Sequence, residues 1–168
     1  HLKAISKLGV KIKIEKGYVN AIAQEGLIGS EIRFSKISVG ATENILIAAC
    51  LAKGETKLKN CAIEPEINDL INFLKKIGCK INKTGKRSIS IKGIEKLKTA
   101  RHQVIFDRIE AGTYIIAAAL TKGYLKIKNI NPKIMTTEIN LLQKMGVNIV
   151  KKKNYLIVSR SKKLKNVD

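Results

Sequence analysis

A chain of 168 residues that is 45% apolar can form one domain, or two small ones, with a true core. Its apolar runs fall far short of the roughly 20 residues that cross a bilayer, and no signal-peptide pattern opens it, which argues against a membrane protein and for a cytoplasmic one. The formal charge of +20 raises nucleic acid as a partner, but only five of the 33 basic residues are Arg, aromatics are 4% and Trp is absent, so solvated lysine faces are the expected reading and nucleic acid is argued against.

The first residue is His1 rather than Met, and Ile5 to Ile12 reads as the end of an amphipathic helix running through Gly9 into a strand. This register leads us to expect a truncated chain. Glu31-Ile32-Arg33-Phe34 reads as a strand that opens a unit. Behind it, Lys36-Ile37-Ser38-Val39-Gly40-Ala41-Thr42-Glu43-Asn44 forms a turn and the start of a helix that is apolar on nearly every face as far as Gly54. A helix of that kind is expected to be buried all round, with only its first turn open. Free backbone N–H groups and the positive end of the helix dipole make that turn either an ordinary Ser cap or an anion site.

Thr56 to Leu58 alternates as a second strand. Pro65 stands at a first helical position, followed by Ile67, Leu70, Ile71 and Leu74 at helical spacing up to Gly78. A hairpin then runs from Cys79–Asn82 through Lys83–Lys86 into Ser88–Ile91. The pattern then recurs. Ala48 to Asn60 reappears as Ala117 to Asn129, displaced by 69 residues, and Asn72 to Ile81 answers to Asn140 to Ile149. Gln103-Val104-Ile105-Phe106 is the expected opening strand of this second copy, Leu125 to Ile127 its second strand, and Val147–Val150 with Tyr155–Val158 its hairpin. Self-similarity at a fixed period identifies one supersecondary unit, βαβαββ, used repeatedly.

Cys50, Cys61 and Cys79 lack any Cys-x-x-Cys spacing, and His1 and His102 have no visible partner, so neither a disulfide framework nor a metal site is expected. Glu64 and Glu66 around Pro65 read as an acidic first turn or as paired acid/base carboxylates. Asp107-Arg108-Ile109-Glu110 reads as a solvated charge cluster, with Arg108 and Glu110 as a local ion pair.

Three stretches, Ser38 to Asn44, Glu64-Pro65-Glu66-Ile67-Asn68-Asp69-Leu70 and Asp107-Arg108-Ile109-Glu110-Ala111-Gly112-Thr113, resemble in order and spacing the bacterial UDP-N-acetylglucosamine enolpyruvyl transferases (UDP-N-acetylglucosamine 1-carboxyvinyltransferases). The similarity runs from His1 to about Val158. It implies an α/β (α+β) chain with the enolpyruvyl transferase fold: repeated βαβαββ units forming inside-out α/β barrels, here truncated, with residues 1–104 in a first domain and 105–168 in a second.

The implied reaction moves the enolpyruvyl group of phosphoenolpyruvate to the 3-hydroxyl of UDP-N-acetylglucosamine. That is the first committed step of peptidoglycan synthesis, and through it of cell shape and division. By the same resemblance Lys36, Ile37, Ser38, Val39 and Gly40 contact the UDP-sugar, with Gly40 allowing close approach, and Glu64, Glu66, Asp107 and Arg108 are charge partners at the cleft. No cofactor and no metal is implied. The family's cysteine acid, its aspartate base and its phosphoenolpyruvate-binding lysine match nothing in this sequence, so no catalytic residue is assigned and the chain alone is expected not to turn over. Two alternatives are a fragment like 5-enolpyruvylshikimate-3-phosphate synthase, against which the Ser38 to Asn44 stretch speaks, and a basic RNA-binding βαβαββ module.

Overall fold

Burial alternates along Glu55–Lys59, with Thr56 and Leu58 inward and Glu55, Lys57 and Lys59 in solvent, and this strand is the axis of the first half of the chain. The structure is a computed structural model describing residues 1–167, and it divides into two compact units, His1–Gln103 and the remainder from Val104.

In the first unit a short helix, α1 (Leu2–Ser6), leads into the hairpin of β1 (Lys11–Glu15) and β2 (Tyr18–Ile22). Next come β3 (Glu31–Arg33), α2 (Val39–Ala49), β4 (Glu55–Lys59), α3 (Pro65–Lys76), β5 (Lys80–Gly85) and β6 (Ser88–Lys92). The sheet has the order β3-β4-β6-β5, with β3 parallel to β4 and the other pairs antiparallel. Its inward residues Ile32, Leu58, Ile81, Ile89 and Ile91 meet Ile45, Leu46 and Ala49 of α2 and Ile67, Ile71 and Leu74 of α3 in one core. Pro65 occupies the first turn of α3, and Gly78 follows its end at φ +105°, a conformation glycine adopts without the penalty a Cβ carries.

The second unit contains α4 (Arg108–Leu120), β7 (Tyr124–Lys128), a 3-10 turn at Pro132–Met135, α5 (Thr136–Lys144), β8 (Asn148–Lys151) and β9 (Tyr155–Ser159). Its sheet order, β7-β9-β8, repeats the β4-β6-β5 arrangement of the first unit. The repetition extends to the backbone: Asn60 and Asn129 both end their strand at φ +60°. The βαβαββ reading is thus borne out where both units show it. Among the described residues the sheets are open and no barrel closes.

Two expectations are corrected. No strand forms over 103–106. Ile32 and Phe34 are buried in the first unit, and Phe34 N–H bonds to Lys59 O at 3.0 Å, whereas Val104 is 73% exposed. Without an inward residue on each alternate position, the segment gains too little burial to order a parallel pair. Nor are the two apolar helices buried all round. Ile47 on α2 is 53% exposed, as are Ile109 and Leu120 on α4 at 63% and 64%. Apolarity states what a helix can bury, while the neighbours present decide how much it does: α2 packs on α1, α3 and β6, and α4 on β7 and β9, leaving one face of each in solvent.

One buried hydroxyl stands out. Thr56 is fully buried and its Oγ1 has no partner among the described residues. Thr56→Val keeps the β-branched shape and removes an unpaid desolvation, so it is expected to leave stability unchanged or raise it by up to about 1 kcal/mol in urea denaturation.

Candidate functional site

Ser38 is extended (φ −145°, ψ 123°) and its Oγ accepts from the N–H of Ala41 at 3.2 Å, which makes it the N-cap of α2. Its carbonyl accepts twice, from Thr42 N–H at 3.1 Å and from Thr42 Oγ1 at 2.8 Å. Ala41 and Thr42 are thereby satisfied, and the N–H groups of Val39 and Gly40 are the remaining orphans of the first turn, at the positive end of the helix dipole. Lys36 and Ile37 are exposed on the approach to the turn, while Ser38, Val39 and Gly40 are half-buried. The turn provides backbone donors and a dipole end, with an exposed lysine two residues before the cap, which suits a phosphate or another anion.

Thr42 is the residue that sequence reasoning missed. Fully buried, it donates back to Ser38 O and accepts from Ala62 N–H at 3.1 Å. The Ser38 turn is thus tied to the loop that leads into α3, where Glu64 and Glu66 lie. Glu64 precedes α3 without capping it, and its Oε2 accepts from Ile63 N–H at 2.7 Å; Glu66 is the acidic residue of the first turn. Arg87 fixes the same loop, donating to Cys61 O at 2.9 Å and accepting from Cys61 N–H at 3.0 Å.

The neighbour of Gly40 was also illegible in the sequence. His1 lies over the turn: a Cβ on Gly40 would meet His1 Cε1 at 3.1 Å, and Asn44 Nδ2 is 2.7 Å from His1 Nδ1. The missing side chain at Gly40 accommodates the imidazole of His1, which Asn44 holds from 43 positions along the chain. His102, read as alone, is in fact paired. Its Nε2 lies 3.0 Å from Asp69 Oδ1 with both side chains largely buried, and its ring packs on Phe73. This pins the segment after β6 to α3.

Asp107 and Arg108 belong to the second unit. Asp107 stands where Ser38 stands in the first, as N-cap of α4, its Oδ1 accepting from the N–H groups of Ile109 and Glu110 at 2.8 and 3.0 Å. The guanidinium of Arg108 lies 3.6 Å from Glu138 on α5. The cysteines are buried and free. Burial pushes the Cys61 thiol up to about 11 against the opposing charge of Arg87, and burial together with a hydrogen bond to Cys79 raises Cys50 further. At neutral pH Cys50 and Cys61 are thiols packed as small apolar groups. Among the described residues no cluster of His, Cys, Asp and Glu has the makings of a metal site, and no helix is long and apolar enough to cross a membrane.

Comparison with known proteins adds the following. The model of the EPSP synthase (3-phosphoshikimate 1-carboxyvinyltransferase) family matches residues 1–168. Over 168 residues the chain is 61% identical to a UDP-N-acetylglucosamine 1-carboxyvinyltransferase of Pelagibacter ubique, and over 165 residues 48% identical to one of Endomicrobium trichonymphae. These alignments cover 100% and 98% of the chain, which spans about 40% of the length of either relative. Among solved structures, the enolpyruvyl transferase NikO from Streptomyces tendae superposes with a TM-score of 0.81 at 23% identity, over 95% of this chain and 41% of that one, a likeness of fold.

Proposed function

The chain belongs to the EPSP synthase (3-phosphoshikimate 1-carboxyvinyltransferase) family, and from that premise we propose that it forms the nucleotide-sugar side of an enzyme that transfers enolpyruvyl from phosphoenolpyruvate to the 3-hydroxyl of UDP-N-acetylglucosamine. In this reading residues 1–104 belong to the first domain of that enzyme and 105–168 to the second, and the reaction begins peptidoglycan synthesis. The names of relatives at 48% and 61% identity support this acceptor over shikimate-3-phosphate.

The observation that carries the reading is the Ser38-capped turn, whose first orphan N–H groups lie three and four residues after the exposed Lys36. The diphosphate of the sugar nucleotide is placed at the N–H groups of Val39 and Gly40, where the helix dipole and the Lys36 ammonium both favour negative charge. Ser38 holds the turn in the conformation that presents those groups. Ile37, 47% exposed, offers an apolar contact for the nucleoside. Glu64 and Glu66 are charge partners on the loop that Thr42 ties to the turn, and Asp107 and Arg108 have that role in the second unit. No catalytic acid or base is assigned among these residues, and in this reading the chain binds its acceptor and does not turn it over.

Calorimetric titration of the 168-residue chain with UDP-N-acetylglucosamine, with UDP as the reference ligand, tests the reading. Saturable binding that prefers the sugar nucleotide is expected, falling about tenfold in Lys36→Ala, as befits a charge-assisted contact of about 1.5 kcal/mol, and by a similar factor in Ser38→Ala, which releases the turn. A folded chain with no affinity for either nucleotide would overturn it.

A further inference from the structure

The solvent face of the second unit's sheet differs from its counterpart in the first. On β4 and β6 the outward rows are Lys59 beside Ser88, Lys57 beside Ser90, and Glu55 beside Lys92. The lysines there are tied up: Lys59 pairs with Glu31 at 2.5 Å and Lys57 with Glu55 at 3.7 Å, and Glu55 also accepts from Ser90 Oγ at 2.6 Å. On β7 and β9 the corresponding rows are Lys128 beside Tyr155, Lys126 beside Ile157, and Tyr124 beside Ser159. Both lysines are kept, the carboxylate is replaced by a tyrosine, and a second tyrosine stands in place of a serine. Asn148 and Val150 of β8 complete the face.

This face is open. Tyr124 is 70% exposed and Val150 39%, while Leu156 and Val158 on the opposite side of β9 are fully buried. Neither 124–128 nor 148–159 contains an Asp or Glu, and Lys152 and Lys153 lie in the turn at the Tyr155 end, between β8 and β9. The Lys126 ammonium sits 4.4 Å from the centroid of the Tyr155 ring. A cation held by a ring at an exposed site is released far more readily than one desolvated in a pocket. Two tyrosines about 14 Å apart, as four residues of strand separate their rows, flank two lysines free of carboxylates, next to a basic turn. Aromatic rings on an open sheet, with cations between them, match the alternation of bases and phosphates in an extended strand.

We propose that the outer face of the β7-β9-β8 sheet binds single-stranded nucleic acid, with Tyr124 and Tyr155 stacking on bases and Lys126, Lys128 and the turn at Lys152 and Lys153 holding phosphates. Stacking on a ring and pairing with a phosphate are open to every nucleotide alike, so the binding is independent of sequence. The inference stands apart from the sugar-nucleotide site and departs from the bland reading of the lysines, because here a local pattern rather than overall charge selects the ligand.

The test is fluorescence anisotropy of a labelled oligothymidylate of about 20 nucleotides, chosen to exceed the largest site sizes of such faces, titrated with the full chain at several salt concentrations. Tyr124→Ala and Tyr155→Ala are each expected to weaken binding about tenfold. Tyr155→Leu, which keeps apolar bulk on the sheet, should lose as much, and Tyr155→Phe should bind like the parent. Lys126→Ala with Lys128→Ala should reduce the slope of log affinity against log salt by about 1.4, at about 0.7 per phosphate contact. Lys3→Ala with Lys7→Ala, an equal loss of charge on and after α1, should leave the affinity within about twofold. Equal losses from the two lysine pairs, leucine at 155 binding like tyrosine, or no binding by the parent chain would each overturn the proposal.

Discussion

Gly93→Ala is expected to abolish the cooperative unfolding transition of the first unit. Gly93 follows β6 and crosses the C-terminal end of α2, where its N–H donates to Gly54 O at 2.9 Å and the next N–H, of Ile94, donates to Cys50 O, also at 2.9 Å. A Cβ at position 93 would lie 1.7 Å from Ala52 O and 2.8 Å from Ala52 C. These are backbone atoms of a buried residue, so no rotamer change can relieve the overlap. The strand end has to lift away from the helix, which breaks both hydrogen bonds and uncovers Ala52 and Cys50. Overpacking costs about 1–3 kcal/mol even where side chains can adjust, and each lost bond about 1 kcal/mol more, so the sum is about 4 kcal/mol or above. That is most of the stability of a small domain. Gly112→Ala is the internal control. It lies within α4, its Cβ would sit in ordinary contact with Met135 at 3.7 Å, and alanine gains up to about 1 kcal/mol of helix propensity there. Circular dichroism in urea separates the two. Equal midpoints for both variants would show that the strand does not cross the helix at this distance.

What could be read in advance was whatever repeats or alternates. The strand around Thr56 and Leu58, the helix from Pro65, and their second copies around Leu125 and Ile139 each follow from a period of 2 or 3.6 with a proline or glycine at the boundary, and the structure has them. The failures share a cause, which is that they depend on what lies next to a segment and not on the segment itself. Gln103 to Phe106 has the composition of a strand, but Val104 finds no interior to face. The helices containing Ile47 and Ile116 carry more apolar surface than their own unit covers. In the candidate site the turn from Ser38 was legible because a cap and a dipole are local properties. The His1–Asn44 contact that sets the ring over Gly40, the Asp69–His102 pair and the Thr42–Ala62 bond were not, since they join residues 43, 33 and 20 positions apart. Thr42 in particular looks like an ordinary helical threonine until the loop at Ala62 is seen against it.

Thr42→Val should therefore cost about 2–3 kcal/mol, although it preserves volume and branching. Valine removes the acceptor for Ala62 N–H, which is buried, and an orphaned buried donor forfeits its full desolvation penalty of about 1–3 kcal/mol. It also removes the bond that Thr42 Oγ1 makes to Ser38 O. Thr42→Ser keeps the hydroxyl and sacrifices one methyl, about 1 kcal/mol, so a serine variant more stable than the valine variant would identify hydrogen bonding as the cause. The reverse order would identify packing. The same pair of variants separates scaffold from site. If the sugar nucleotide binds at Val39 and Gly40, loosening Ser38 O from below leaves those N–H groups less well oriented, and calorimetry should show weaker affinity in the valine variant at temperatures where it is still fully folded. Unchanged affinity there would mean that the Oγ of Ser38, through its bond to Ala41, is sufficient to hold the turn, and that Thr42 serves only to fasten the Ala62 loop to α2.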